Sequence, residues 1–211
     1  GIGTKSSLTI IDNDVFEPCN FSRHFLGLNS IGLPKAEALK DELKRIAPFC
    51  EIKAIDESVY TSSVFSQNFD LIIDTTGEES LSMWLHEFLN DKETLVISTW
   101  VRGRGEAVEA FVRKNKNNGC HQCFRLSDSR IKYSGGEFPL RGSCGSVYVP
   151  FSISESLYAS LLTMEIINKW LNGTLDSNFF RQNLNPIGEI EALKIEKEEK
   201  CTVCGTNYTM E

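Results

Sequence analysis

The sequence predicts an α/β fold, a mostly parallel twisted sheet with helices on both faces, extended by a metal-stapled C-terminal part. Three features carry that expectation. Short apolar runs ending in a carboxylate recur at residues 8–12 (Leu-Thr-Ile-Ile-Asp) and 70–74 (Asp-Leu-Ile-Ile-Asp). A helical period lies between them, and two Cys-x-x-Cys pairs stand near positions 120 and 200. Runs that stay apolar rather than alternating suit strands buried on both faces, and strands alternating with helices give parallel pairing.

The elements follow in order. The first strand occupies residues 8–12. A helix over Pro34–Ala47 follows, with Ala36, Leu39, Leu43 and Ile46 at helical spacing and Pro48 just past its end. Residues 70–74 form the second strand, Glu79–Leu89 a second helix, and residues 94–98 (Thr-Leu-Val-Ile-Ser) a third strand. Residues 105–150 read differently, with Gly119, Gly135, Gly136, Gly142 and Gly145 and short strand candidates near Ile131–Tyr133 and Val147–Val149. A long helix then opens on a capping box at Ser152 and Glu155 and closes at Gly173. Its apolar positions Leu157, Leu161, Leu162, Ile166, Ile167 and Trp170 are assigned to the core. No internal repeat or low-complexity linker interrupts the chain, which is read as one domain over residues 1–211.

Composition narrows the function. The chain has 211 residues, 22 Lys plus Arg against 29 Asp plus Glu, and a formal net charge of -7. Non-specific nucleic-acid binding needs clustered cations that release counterions, so a nucleic-acid partner is not expected. No segment approaches ~20 uninterrupted apolar residues and no charged n-region precedes an apolar stretch, so the chain is read as cytoplasmic, with no membrane partner. A domain of this length buries roughly 70% of its unfolded surface without help from disulfides, so the seven cysteines need another explanation.

Four of them have one. Cys120 with Cys123, and Cys201 with Cys204, are spaced so that a tight knuckle aims two sulfurs at one ion, and four thiolates make a closed tetrahedral zinc site. Zinc worth roughly 10–16 kcal/mol in finger peptides would anchor the charged stretch Glu196–Lys200. Two unrelated redox pairs are the alternative. His121 is read as a solvated spacer inside the knuckle, and Cys19 and Cys50 as core thiols.

The densest polar chemistry lies at residues 12–24 (Asp-Asn-Asp-Val-Phe-Glu-Pro-Cys-Asn-Phe-Ser-Arg-His) and at Gly32 to Lys35. Carboxylates, an amide, a guanidinium and an ammonium near a strand end are the parts for holding a ribose, a metal and a triphosphate. Lys35 falls in the first turn of a helix, where the dipole disfavours a cation by roughly 0.3–1 kcal/mol, and an anionic ligand would reverse that sign. A surface loop with incidental charges is the competing reading, and His24 is taken as structural. Nucleotide-binding sheets of this kind start with a strand, a Gly-rich turn and a helix, with an acidic residue about 20 residues on. Asp12 stands too close to the first residue for that, and Gly1-Ile2-Gly3 is too short to be the fingerprint. The chain therefore reads as starting at the second strand of its sheet, either as a fragment of a longer protein or with another segment completing the sheet.

In order and approximate spacing, Asp12-x-Asp14, Asn20-x-x-Arg23, Gly32-x-x-Lys35, Asp74-Thr75-Thr76, Gly119-Cys120-x-x-Cys123-Phe124 and Cys201-x-x-Cys204 resemble the ubiquitin-activating superfamily in its bacterial ThiF/MoeB/HesA form. The resemblance covers nearly the whole chain. It implies a Rossmann-like adenylation domain that uses ATP and magnesium to activate the C-terminal carboxylate of a ubiquitin-like or sulfur-carrier protein, releasing pyrophosphate. Carried over position by position, Asp12 binds the ribose hydroxyls with Asp14 beside it in the nucleotide site. Asn20, Arg23 and Lys35 bind and polarise the phosphates, Arg23 and Lys35 as catalytic groups, and Asp74 holds magnesium. Cys144, in Arg141-Gly142-Ser143-Cys144-Gly145-Ser146, occupies the place of the family's transfer cysteine, where Arg141 and backbone amides would favour a thiolate. A small buried side chain is its ordinary alternative. The resemblance also implies a homodimer, and the segment Trp100–Gly105 is similar to members fused behind a conjugating-enzyme-like domain. The rival from another class is a non-catalytic protein-binding module that keeps the fold and the zinc.

Overall fold

A computed structural model of the chain describes residues 6–89, 92–114, 118–127 and 151–204, with the backbone of 140–141 and 147–148. The chain divides into two compact units, the first reaching Asn68 and the second beginning at Phe69.

In the first unit, strand β1 (Ser7–Ile11) lies parallel to β2 (Glu51–Ile55), in register from Ser7 opposite Glu51 to Ile11 opposite Ile55. Helix α1 (Lys35–Ile46) connects them. It ends at Ala47, where Pro48 disfavours a further helical residue. α1 buries Ala36 and Ala38 and leaves Ile46 exposed, so only part of the apolar stripe faces inward. Between β1 and α1 the chain makes two 3-10 turns, Pro18–Arg23 and Leu28–Ser30, wrapped around Phe16 and Leu26.

The second unit holds β3 (Leu71–Asp74), α2 (Glu79–Phe88), β4 (Leu95–Arg102), β5 (Ala107–Arg113), α3 (His121–Leu126), the short pair β6 (Leu140–Arg141) and β7 (Val147–Tyr148), α4 (Ile153–Leu171), β8 (Phe179–Leu184) and β9 (Ile187–Leu193). Its main sheet runs β3-β4-β5-β8-β9. β3 and β4 are parallel, as the sequence predicts for strands joined through a helix. The later pairs are antiparallel, because β4 returns as β5 through a tight turn in which Gly103 (φ 54°) and Gly105 (φ 94°) take left-handed conformations. Strands β2, β5, β8, β9 and helix α3 carried no sequence expectation. β5 hid because it places Glu109 and Arg113 inside an apolar run, and β9 because charges on an exposed strand resemble a loop.

α4 packs Ala159, Leu162 and Ile166 on Leu95, Ile97, Val108, Ala110, Val112 and Phe180. Each fully buried Leu or Ile there contributes roughly 1.5–3 kcal/mol. The expected capping box is present, with Ser152 N–H donating to Glu155 Oε2 (2.7 Å) and Ser154 N–H donating to Ser152 Oγ (3.3 Å), and Gly173 closes the helix at φ 71°. Leu157 and Leu161, assigned to the core from sequence, are exposed instead. A helix lying on a flat sheet buries one narrow stripe, and Leu161 sits about 100° around the helix from Leu162. The opposite face of the sheet carries α3 and an aromatic cluster of Phe111, Phe124, Phe179 and Trp100. Among the described residues no helix is long and apolar enough to cross a membrane.

Candidate functional site

In the first unit, Asp12 directly follows β1, and its N–H donates to Ile55 O (3.2 Å), which holds it at the carboxyl end of the strand. That is where open α/β sheets bind ligands. Asp12 Oδ1 accepts from Asp14 N–H (2.8 Å), and Asp14 Oδ2 accepts from Lys35 Nζ (2.7 Å). The loop is zipped onto the entry to α1 by Phe16 N–H to Leu33 O, Gly32 N–H to Phe16 O, and Lys35 N–H to Asp14 O, each 2.8 Å. Gly32 sits at φ 85°, a conformation that costs a side-chain-bearing residue, and the open space around it shows that the backbone turn alone requires glycine. Lys35 is the first residue of α1, and the anion that offsets the helix dipole there is the Asp14 carboxylate.

Asn20 is buried and accepts Glu17 N–H at Oδ1 (2.9 Å), so its amide oxygen closes the turn that carries Arg23. His24 is edge-on to Phe16 (5.1 Å) and accepts Leu26 N–H at Nδ1 (3.2 Å). Burial lowers its pKa below the usual 6.5, with Lys35 and then Arg23 adding to the effect and Asp12 opposing it. Cys50 is buried, but Cys19, expected in the core, is half-exposed and donates to Glu17 Oε2 (3.5 Å), because the turn it opens lies at the surface.

In the second unit, Asp74 ends β3 and is buried. Its Oδ1 accepts from Thr76 N–H (3.0 Å) and Oγ1 (2.7 Å), and its Oδ2 from Ser82 Oγ (2.5 Å). A carboxylate has about four acceptor positions, so these donors orient it and leave about one for a cation. That suits magnesium, which is usually held by one or two carboxylates and keeps its waters. Ser82 was missed in the sequence because only the fold of α2 onto β3 gives it a role.

The four knuckle cysteines come together. Cys120 Sγ lies 3.8 Å from Cys123 Sγ and 3.5 Å from Cys201 Sγ, Cys123 Sγ lies 3.3 Å from Cys204 Sγ, and all four sulfurs fall within 4.8 Å of one another. A tetrahedral ion with metal–sulfur bonds of about 2.3 Å requires sulfur–sulfur edges of about 3.8 Å, so this donor set can hold one. Glu198 N–H points at Cys123 Sγ and Val203 N–H at Cys201 Sγ, both 3.4 Å. Burial pushes the Cys120 thiol far up and the Cys123 thiol up to about 11. Burial also opposes the Cys201 thiolate, but N–H groups of Cys204 and Val203 outweigh it and lower that pKa. A bound cation would favour all four thiolates.

Backbone contacts dock the segment beneath the cluster. Gly119 N–H donates to Ile195 O (3.0 Å), and buried Asn178 donates to Gly119 O (3.3 Å) and Ile195 O (3.1 Å) while accepting Ile195 N–H (2.6 Å). His121, expected as a solvated spacer, is buried among Phe111, Phe124 and His86. It opens α3, and the helix turns its ring onto the sheet.

A buried polar network went unread in the sequence. Glu109 is fully buried and accepts from Trp100 Nε1, Arg102 Nε and Arg181 Nε, each 2.8 Å. A charged residue within the apolar run 107–112 was the available signal. Cys144 and Gly1–Gly3 lie outside the described residues, as does the strand candidate near Ile131–Tyr133.

Comparison with known proteins bears on this arrangement. Over 179 residues the chain is 37% identical to the ATP-dependent ubiquitin transferase-like protein Cap2 of Pseudomonas aeruginosa, covering 82% of this chain and 32% of that protein. Over 130 residues it is 32% identical to the adenylyltransferase and sulfurtransferase UBA4 of Eremothecium gossypii, covering 59% of this chain and 28% of that one. The chain thus spans about a third of the length of these curated relatives. A crystal structure of Escherichia coli MccB with MccA-N7isoASN shares the fold at a TM-score of 0.72 and 16% identity, over 95% of this chain and 60% of that one. The model of the ThiF family matches residues 1–203, and the chain belongs to the ThiF family.

Proposed function

We propose that this chain is the adenylation domain of an enzyme that activates the C-terminal carboxylate of a ubiquitin-like or sulfur-carrier protein with ATP and magnesium. The observation that carries the reading is the hydrogen-bonded chain of Asp12, Asp14 and Lys35 at the carboxyl end of β1, in a chain whose relatives are named for ATP-dependent ubiquitin transfer and adenylyl transfer. A carboxylate oxygen of the carrier attacks the α-phosphorus of ATP, the bond to the β-phosphate oxygen breaks, and pyrophosphate leaves. Such a step needs positioning and charge neutralisation more than proton transfer. Arg23 offers a planar fork and Lys35 a point charge, already aimed by Asp14. Asp12 takes the ribose hydroxyls, Asn20 supports the Arg23 turn, and Asp74 is the magnesium ligand, the ion supplying charge neutralisation when bound.

Zinc is the proposed ion of the four-cysteine cluster, with a closed and structural role. Cys144 is the proposed acceptor for transfer: its thiolate attacks the acyl carbon, AMP leaves, and a thioester forms. A conjugating-enzyme-like domain is the proposed next partner, and the homodimer the proposed assembly. A cytoplasmic setting keeps these thiols reduced.

Pyrophosphate exchange by the full-length protein with its carrier tests the assignment. Arg23→Ala and Lys35→Ala should each lower exchange by about 10²–10³, the usual cost of one lost transition-state donor. Exchange that survives both changes overturns the reading. Cys144→Ala should retain exchange and lose a reductant-labile carrier adduct, and an unchanged adduct removes Cys144 from the mechanism.

A further inference from the structure

Within the four-cysteine cluster, sulfurs of different knuckles approach more closely than the two sulfurs of the first knuckle. Cys123 Sγ stands 3.3 Å from Cys204 Sγ and Cys120 Sγ 3.5 Å from Cys201 Sγ, whereas Cys120 and Cys123 are 3.8 Å apart at sulfur. Each short pair joins segments 81 positions apart in the chain.

Contacts that need no metal hold those segments together. Gly119 N–H donates to Ile195 O, Asn178 donates to both Gly119 O and Ile195 O, and Glu198 N–H reaches from the tail to Cys123 Sγ (3.4 Å). Phe111, Phe124, Phe179 and Ile195 pack with Cys120, Cys123 and Cys201 in one buried cluster. This docking, and not the ion, decides which sulfurs face each other. Access differs among the four thiols. Cys120, Cys123 and Cys201 are buried and Cys204 is half-buried, so an oxidant arriving from solvent meets Cys204 first, with Cys123 placed to resolve it.

We propose that the cluster is a redox-operated lock on the tail: hydrogen peroxide converts its four thiols into two disulfides, Cys123–Cys204 first and Cys120–Cys201 second, which tie residues 118–124 covalently to residues 198–204. The Cys204 thiolate attacks one peroxide oxygen, the O–O bond breaks, and the departing oxygen takes a proton and leaves as water. The sulfenic acid left on Cys204 is attacked at sulfur by Cys123, the S–O bond breaks, and a second water leaves. Two thiolates then remain, too few to close a structural zinc site. A second peroxide joins Cys120 to Cys201 in the same way. Four thiolates, four protons and two peroxides thus give two disulfides and four waters, and a dithiol reductant reverses both steps. Metal and disulfides hold the tail in alternation, while chelation under reductant leaves that task to the backbone and Asn178 contacts. The pairing uses these sulfurs and their docking contacts alone and is independent of the adenylation reading.

Peptide mapping of the full chain, purified with zinc, tests the pairing without any substitution. Trypsin cuts after Lys116, Arg125 and Lys200, and neither knuckle holds a cleavage site, so each lies within one peptide. One equivalent of peroxide, quenched with N-ethylmaleimide, should give the two peptides joined, with Cys120 and Cys201 alkylated. Excess peroxide should join them twice and release all the zinc. Amide exchange across residues 198–204 should rise after chelation under reductant and stay at the zinc-loaded level after peroxide. Two separate peptides, each two hydrogens lighter, overturn the pairing, and a first product joined through Cys120 overturns the order. Equal exchange in the two metal-free forms overturns the lock. Cys204→Ser should lose the first disulfide and release zinc more slowly, and release at the unsubstituted rate overturns Cys204 as the point of entry. A chain that purifies without zinc would count against the zinc assignment, and the joined peptides would still decide the pairing.

Discussion

Replacing Glu109 by Leu tests how the centre of the second unit is held together. The carboxylate is 0% exposed and receives three donors, but their losses are unequal. Trp100 and Arg102 are partly exposed and can turn to water, so each costs no more than an ordinary hydrogen bond, about 0.5–1.5 kcal/mol. Arg181 is 3% exposed and loses a carboxylate held at 2.8 Å, which the face of Phe179, 5.1 Å away, replaces only in part. Taking the carboxylate away from a buried guanidinium costs about 3–5 kcal/mol, against a total stability of about 5–15 kcal/mol for a domain. At about 2–4 °C per kcal/mol for a chain of this size, the melting temperature should fall by roughly 10 °C. Urea unfolding followed by tryptophan fluorescence measures the same loss. The double variant Glu109→Leu, Arg181→Met removes the stranded charge and should recover most of the stability, giving a coupling energy of at least about 2 kcal/mol. A loss below about 1 kcal/mol in the single variant, or a double variant no better than the single, refutes the argument.

Two further outcomes follow from the geometry. A Cβ on Gly119 would lie 2.3 Å from Glu196 O and 2.9 Å from Ile195 O, both backbone atoms that cannot step aside cheaply. Gly119→Ala should therefore loosen residues 195–204, cost about 1–3 kcal/mol as overpacking does, and, in protein loaded with the zinc proposed for the cluster, speed its loss to a chelator; unchanged metal retention would show that the close approach is unimportant. His86 is fully buried and its pKa is driven well below 6.5, chiefly by burial and then by the charges of His121 and Arg113. The unfolded chain takes up that proton near pH 6.5 and the folded one only at lower pH, so this contribution is complete above about pH 6.5 and declines as pH falls, by up to about 1.4 kcal/mol per pH unit. Urea midpoints at pH 7.5 and 5.5 should differ less in His86→Gln than in the unsubstituted chain, and equal differences exclude His86 as the source.

Much of the candidate site was legible because its chemistry is local. Asp12, Asp14, Asn20, Arg23 and Lys35 fall within one β–α connection, and a strand end followed by a Gly-closed helix start places them together without long-range information. Glu109, Arg181 and Ser82 were illegible for the opposite reason. A glutamate in an apolar run reads as an interruption until the strand carrying Arg181, 72 positions away, is known to lie beside it. His121 misled because its neighbours in sequence are polar while its neighbours in space are aromatic.

By itself the sequence determined the parallel pair of β3 and β4 through their apolar runs, the ends of α1 and α4 through Pro48, Ser152, Glu155 and Gly173, and the two knuckles through their spacing. Each of these depends on periodicity or capping over a few residues, which the chain cannot evade. Tertiary structure alone decided that Cys120 and Cys201, 81 positions apart, stand 3.5 Å from each other, that β4 turns back antiparallel, and that α4 buries Leu162 rather than Leu161. The reason is that burial and pairing energies are set by what packs across the sheet, and a local pattern constrains which residues can be buried without choosing which ones are.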